Sequence, residues 1–159
     1  FWGPDCAYTC RLGNVLEGCW AGFGIEATLT AMDSEYTTPE GLKFDLPSQS
    51  DLSYNISLFY EDHGFMGRLS YRYRDAFQDE TETGAVFGYT QVIYWDEQSR
   101  VDLAMRYDLE PLVGYKASLF LNVNNLTNEE DGQYAGKEWN PIRNESYGRR
   151  ALVGVRFSL

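Results

Sequence analysis

The chain has 159 residues with 24 acidic and 13 basic side chains, a formal net charge of −11. With 43% hydrophobic and 23% charged residues, it is not of disordered composition. The acidic balance excludes a phosphate-neutralising nucleic-acid surface, and no apolar run reaches the ~18–20 residues of a transmembrane helix. Aromatic residues make up 16% of the chain, and 12 residues are tyrosines, side chains that favour a water–apolar boundary.

In chain order, residues 1–22 resist assignment and are expected to be a strand or a periplasmic turn. They hold all three cysteines, Cys6, Cys10 and Cys19. The number is odd, no histidine lies near, and a zinc site needs a fourth ligand, so unpaired or locally paired thiols are expected and no metal. From residue 23 onward, apolar and polar residues alternate with period two in six segments: Phe23–Ala31, Asp51–Glu61, Phe65–Asp75, Arg100–Leu109, Tyr115–Asn124 and Gly148–Leu159. The second, for example, places Leu52, Tyr54, Ile56, Leu58 and Tyr60 opposite Ser53, Asn55 and Ser57. Strands with one apolar and one polar face predict an all-β, antiparallel protein. Pro4, Pro39, Pro47, Pro111 and Pro141 all fall between these segments, where a missing N–H breaks no ladder.

The connections alternate between long and short. Residues 33–50, 76–99 and 125–147 read as long loops, whereas Asp62-His63-Gly64 and Glu110–Gly114 are brief. Outer-membrane barrels place long loops at one end and short turns at the other, while a soluble sandwich has no reason to. Tyr60, Tyr73, Tyr107, Tyr115 and Tyr147 near segment ends suit an aromatic belt. Charges in mid-strand, such as Arg68, Arg72, Asp102 and Arg106, suit a wet lumen better than a dry core. The prediction is an antiparallel transmembrane β-barrel segment of six to seven strands over residues 23–159, with those long loops extracellular. The smallest such barrels have about eight strands. The pattern therefore implies a larger barrel or several copies.

The run from Leu46 to Glu61, followed by Gly64-Phe65 and Arg68-Leu69-Ser70-Tyr71-Arg72-Tyr73-Arg74, resembles late barrel strands of TonB-dependent outer-membrane receptors. Val123-Asn124-Asn125-Leu126-Thr127-Asn128 is similar to that family's asparagine–leucine–threonine motif, and Tyr147–Arg150 with Gly154–Phe157 resembles its closing strand. The match spans residues 13–159. The resemblance implies the C-terminal part of a plugged barrel of about 22 strands in the bacterial outer membrane. Its role would be TonB-coupled uptake of a scarce siderophore, vitamin or oligosaccharide. Implied partners are outer-membrane lipid, a plug domain, the remaining barrel strands, TonB and the barrel-assembly machinery. The resemblance also implies that Val153, Val155, Phe157 and Leu159 on the final strand form an assembly signal; Leu159 stands where phenylalanine is commoner.

Candidate ligand-binding residues are the arginines of the third segment, Arg68, Arg72 and Arg74, as a ladder for an anionic ligand, and Trp95, Trp139 and Tyr134 in the loops, as stacking surfaces. The plainer reading is lumen charge paired with plug carboxylates, and belt or loop packing for the aromatics. The acidic stretches Gln78–Glu82 and Glu129–Gly132 lack calcium-loop spacing. His63 beside Asp62 sits in a turn too small to build a substrate pocket. No nucleophile elbow, P-loop or zinc-protease motif occurs, so no enzyme and no cofactor is expected. The competing class is a soluble β-sandwich that binds carbohydrate through its aromatics.

Overall fold

Alternation at period two puts each segment's apolar residues on one side, and strand pairing then decides whether those sides agree. The computed structural model describes residues 5–11, 21–33, 35–37, 43–45, 47–86 and 89–157. In chain order the elements are β1 (Asp5–Arg11), β2 (Phe23–Ala31), β3 (Glu35–Thr37), β4 (Lys43–Asp45), β5 (Leu52–Asp62), β6 (Phe65–Arg74), β7 (Phe77–Val86) and β8 (Tyr89–Trp95). They continue with β9 (Gln98–Asp108), α1 (Glu110–Val113), β10 (Ala117–Asn124), β11 (Asp131–Ala135), β12 (Pro141–Glu145) and β13 (Arg150–Phe157). The protein is all-β with antiparallel sheets, apart from the one short helix.

The main sheet has seven strands in the order β1-β2-β5-β6-β9-β10-β13. Residues directly opposite one another in an antiparallel pair share a face. One row therefore crosses the whole sheet as Cys10, Ile25, Leu58, Leu69, Leu103, Val123 and Ala151. The next row on that face reads Tyr60, Gly67, Met105, Leu121 and Val153. On the opposite face, Glu26, Ser57, Ser70 and Asp102 form one row and Thr28, Asn55, Arg72 and Arg100 another.

The apolar face is open. Leu58 is 47% exposed, Leu69 43%, Val153 69% and Val155 47%. Among the described residues, the buried hydrophobic side chains are only Phe59, Ile93, Ala117 and Ala135, and Phe59 belongs to the polar face of β5. Edge strands β1 and β13 each pair on one side only among the described residues, so the sheet is not closed into a barrel.

Turn chemistry separates the two ends of the sheet. Between β5 and β6 the chain reverses through His63 (φ 47°) and Gly64 (φ 77°), a type I′ hairpin whose twist matches the strands it joins. Between β9 and β10, α1 ends on Gly114 in the left-handed region (φ 72°), whose N–H is donated to the Glu110 carbonyl. At the other end lie the stretches expected as loops, and here the structure differs. Residues 33–50 contain the β3–β4 hairpin, and 76–99 and 125–147 fold as β7–β8 and β11–β12. Pairing of β8 with β11 joins the latter two into a four-stranded sheet, β12-β11-β8-β7. Their polar sequence hid this because the pairing is non-local. The seventh strand, β1, arises from the stretch that resisted assignment: Cys6, Tyr8 and Cys10 share the apolar face.

Two glycines on the polar face make room for aromatic rings on the neighbouring strand. A Cβ on Gly24 would stand 2.2 Å from the Phe59 ring, and one on Gly154 2.7 Å from the Phe120 ring, each ring belonging to the directly opposed residue. Gly24→Val must push Phe59 from beneath Arg68, whose guanidinium lies 5.7 Å from the ring centre. The expected loss is about 1–3 kcal/mol, read as a lower urea midpoint. Thr28→Val, at an exposed position of the same strand, should change the stability by less than about 0.5 kcal/mol.

Candidate functional site

On the main sheet, toward the end where the long excursions begin, a groove of about 310 Å³ opens among residues of β2, β5, β6 and β9. It is lined by Thr28, Asn55, Arg72, Arg74, Gln98 and Arg100, among others. Its guanidinium groups come together through register. β6 and β9 pair so that Arg72 faces Arg100 and Arg74 faces Gln98, although a long excursion separates the two strands in sequence.

Carboxylates from two directions answer the first pair. Arg72 Nη2 donates to Asp102 Oδ2 at 2.6 Å, within the polar face. Arg100 Nη2 donates to both oxygens of Asp131 at 2.7 Å, and Gln98 Nε2 donates to Asp131 Oδ1 as well. The Arg100 and Asp131 side chains retain 27% and 14% of their exposure, so this is a partly desolvated contact, stronger than an exposed ion pair. Arg74 instead lies over the ring of Phe77, 4.4 Å from its centre.

Asp131 is delivered by a turn that Asn125 organises. Asn125 ends β10 with φ 55° and is 7% exposed. Its backbone N–H donates to Asp102 Oδ1 at 2.9 Å, and Nδ2 donates to the carbonyls of Glu129 at 2.9 Å and Gly148 at 3.2 Å. Oδ1 accepts the Glu129 N–H at 2.8 Å, and the Leu126 N–H reaches the Val101 carbonyl at 2.7 Å. The Asn125 turn thereby ties the approach to β11, the approach to β13 and the first half of β9 together.

The loop sheet above is aromatic and polar. The Tyr94 and Tyr134 rings stack at 5.3 Å with 11° between their planes. Trp95 Nε1 donates to Asp79 Oδ2 at 2.7 Å, and Gln133, 2% exposed, reaches the same oxygen at 3.5 Å. Burial pushes the Tyr134 hydroxyl above its ordinary pKa, helped by the carboxylates of Glu138 and Asp96. The Tyr147 hydroxyl is pushed the same way, chiefly by its hydrogen bond to Glu145.

The residues singled out from sequence thus separate into groups. Arg72 and Arg74 share the groove with Arg100, which the sequence reading passed over; its relation to Arg72 depends on a register that spacing does not reveal. Arg68 stands apart, 3.3 Å from Glu26 and over Phe59, in a second groove with Ser70, Asn122 and Arg150. Trp95 and Tyr134 lie on the paired strands β8 and β11, where Trp95 opposes Gln133 and Tyr134 opposes Tyr94; Trp95 also opposes Phe77, the ring under Arg74. Trp139 belongs to no such group, standing 81% exposed after the β11 strand. Val153, Val155 and Phe157 lie on the apolar face of β13, while Leu159 falls outside the described residues. Cys6 and Cys10 are free thiols, and Cys19 is likewise outside. No cluster of His, Cys, Asp and Glu suited to a metal ion occurs among the described residues.

No protein-family model matches the chain, no curated protein matches it, and no solved structure matches it.

Asn125 gives a direct test of how the groove is held. Asn125→Ala leaves the Glu129 N–H and two carbonyls without their partner and puts alanine in the left-handed region, which asparagine occupies more readily. The expected destabilisation is about 2–4 kcal/mol if two of these groups go unsatisfied. Amide hydrogen exchange should accelerate in β11 and around Gly148 while β5 and β6 keep their protection.

Proposed function

We propose that the chain is the C-terminal barrel segment of a TonB-dependent receptor of the bacterial outer membrane, serving energy-coupled uptake of a scarce ligand. The observation that carries this reading is the apolar face, unbroken across seven strands and open to its surroundings. In water a continuous exposed apolar face is a liability; against lipid it is the required surface. Aromatic residues cluster on this face near both strand ends. Phe23 and Tyr60 are 4.6 Å apart toward the short turns, and Tyr54 and Tyr73 are 5.0 Å apart toward the long excursions. The opposite face, with Arg68, Asp102, Arg106 and Arg156, suits a wet, plugged lumen. Further strands and a plug, supplied by the rest of a receptor, would close the edges at β1 and β13, since an open edge is not tolerated in lipid. Energy would reach the ligand through TonB acting on that plug. On this reading Val153, Val155 and Phe157 are where the assembly machinery engages the final strand.

The soluble sandwich reading needs a second sheet packed against the apolar face. The exposure of Ile56 (42%), Leu58 (47%) and Leu119 (41%) argues against it.

Replacement of Leu121 by Arg, on the apolar face of β10, should oppose insertion by about 2–4 kcal/mol near the bilayer midplane. Asn122→Arg, one residue along on the polar face, should be mild. Outer-membrane fractions of cells making the full receptor are the measurement. Loss of the Leu121→Arg protein with retention of Asn122→Arg is expected. Equal recovery of the two would reject the membrane reading.

A further inference from the structure

Strand pairing sets Arg72 directly opposite Arg100, a like-charge juxtaposition that destabilises a sheet unless something compensates it. Asp102 and Asp131 compensate that pair. Arg74, two residues along on the same face, adds a third guanidinium whose direct contact is an aromatic ring, with the Asp131 carboxylate acting on it electrostatically. The Nε atoms of Arg74 and Arg100 are buried without an acceptor, as is the Asn55 Oδ1 without a donor. Three further carboxylates of the surrounding segments accept bonds from neutral donors and keep their charge, but do not line the groove. Glu97 accepts the Tyr73 hydroxyl at 2.8 Å, Asp75 the Ala76 N–H at 2.9 Å and Glu129 the Ser99 N–H at 3.3 Å. The residues lining the groove include these three arginines and no Asp or Glu, beside open volume of about 310 Å³.

We infer that this groove binds the oxyanion group of a small solute, a carboxylate or phosphate received by Arg74 with Arg100 and Arg72 at its flanks. A planar guanidinium presents paired donors that match such a group. Arg68, paired with Glu26 in the neighbouring groove, takes no part. The inference rests on the uptake reading only in taking the polar face as the path of a solute; it places the transported ligand in the anionic class.

Calorimetric titration of the full-length protein in detergent micelles with citrate, inorganic phosphate and glucose tests it. Citrate or phosphate should bind in low-salt buffer and glucose should not; the stronger of the two anions tells carboxylate from phosphate. Arg74→Gln should weaken anion binding at least tenfold, and Arg68→Gln should leave it within twofold of the wild type. Asn55→Asp keeps the side-chain shape while adding a carboxylate beside Arg72, and should also weaken binding tenfold; it serves if Arg74→Gln does not fold. Failure of both anions to bind, glucose binding as well as citrate, or undiminished binding by folded Arg74→Gln or Asn55→Asp would overturn the inference. Membrane insertion is scored separately. A protein that inserts but selects no anion loses only the ligand class, whereas one that binds citrate without inserting keeps the groove and rejects the membrane reading.

Discussion

Side chains along a strand alternate in direction, so a slip of one residue in any pairing turns that strand's apolar set to the wrong face. In the main sheet β1, β2, β5, β6, β9, β10 and β13 keep step through every pairing. That agreement is demanding because the partners β6 and β9, like β10 and β13, are separated by long excursions. It is also what makes the two faces chemically distinct. With so few buried hydrophobic side chains among the described residues, an interior core does not hold the sheet. Cohesion comes from the backbone ladders and from cross-strand rows such as Ile25–Leu58–Leu69–Leu103, which lose water only when something apolar covers them.

The same register builds the candidate site. Bringing β6 beside β9 with Arg72 opposite Arg100 concentrates positive charge at the end of the sheet where the long excursions begin. Those excursions return the compensating carboxylate: Asp131 enters from β11, positioned by the Asn125 turn and by β11 pairing with β8. Loop order and polar-face electrostatics are therefore coupled. Loosening the loop sheet would withdraw Asp131 and leave Arg100 uncompensated, which links the state of the loops to the charge of the groove.

How much of this was legible in the sequence depended on whether the determinant was local. The strand β2, Phe23–Ala31, has in the structure the bounds its alternation predicts, and β5, β6, β9, β10 and β13 differ from prediction by one or two residues at their ends. Alternation is a local signal and survives without partners. The hairpin β7–β8 was not legible, because Phe77-Gln78-Asp79-Glu80-Thr81-Glu82 has no apolar face and is a strand only by virtue of its neighbours. β1 carried the alternation Cys6, Tyr8, Cys10, and a strand was one of the two expectations for residues 1–22, but so short a run did not decide between strand and turn. Arg72 and Arg74 were visible as charges on a polar strand face. Arg100 and Asp131 were not connected to them, since no spacing rule relates residues joined only by register.

Whether the apolar face meets lipid is the question on which the functional reading turns. Spin labels placed singly at residues 117 to 124 of β10, in a protein whose Cys6, Cys10 and Cys19 have been replaced, report it after reconstitution into bilayers. Relaxation by oxygen should dominate at Leu119, Leu121 and Val123, and relaxation by a water-soluble nickel chelate at Ser118, Asn122 and Asn124, with a period of two residues. Uniform access of the nickel chelate along β10 would contradict a lipid-facing sheet.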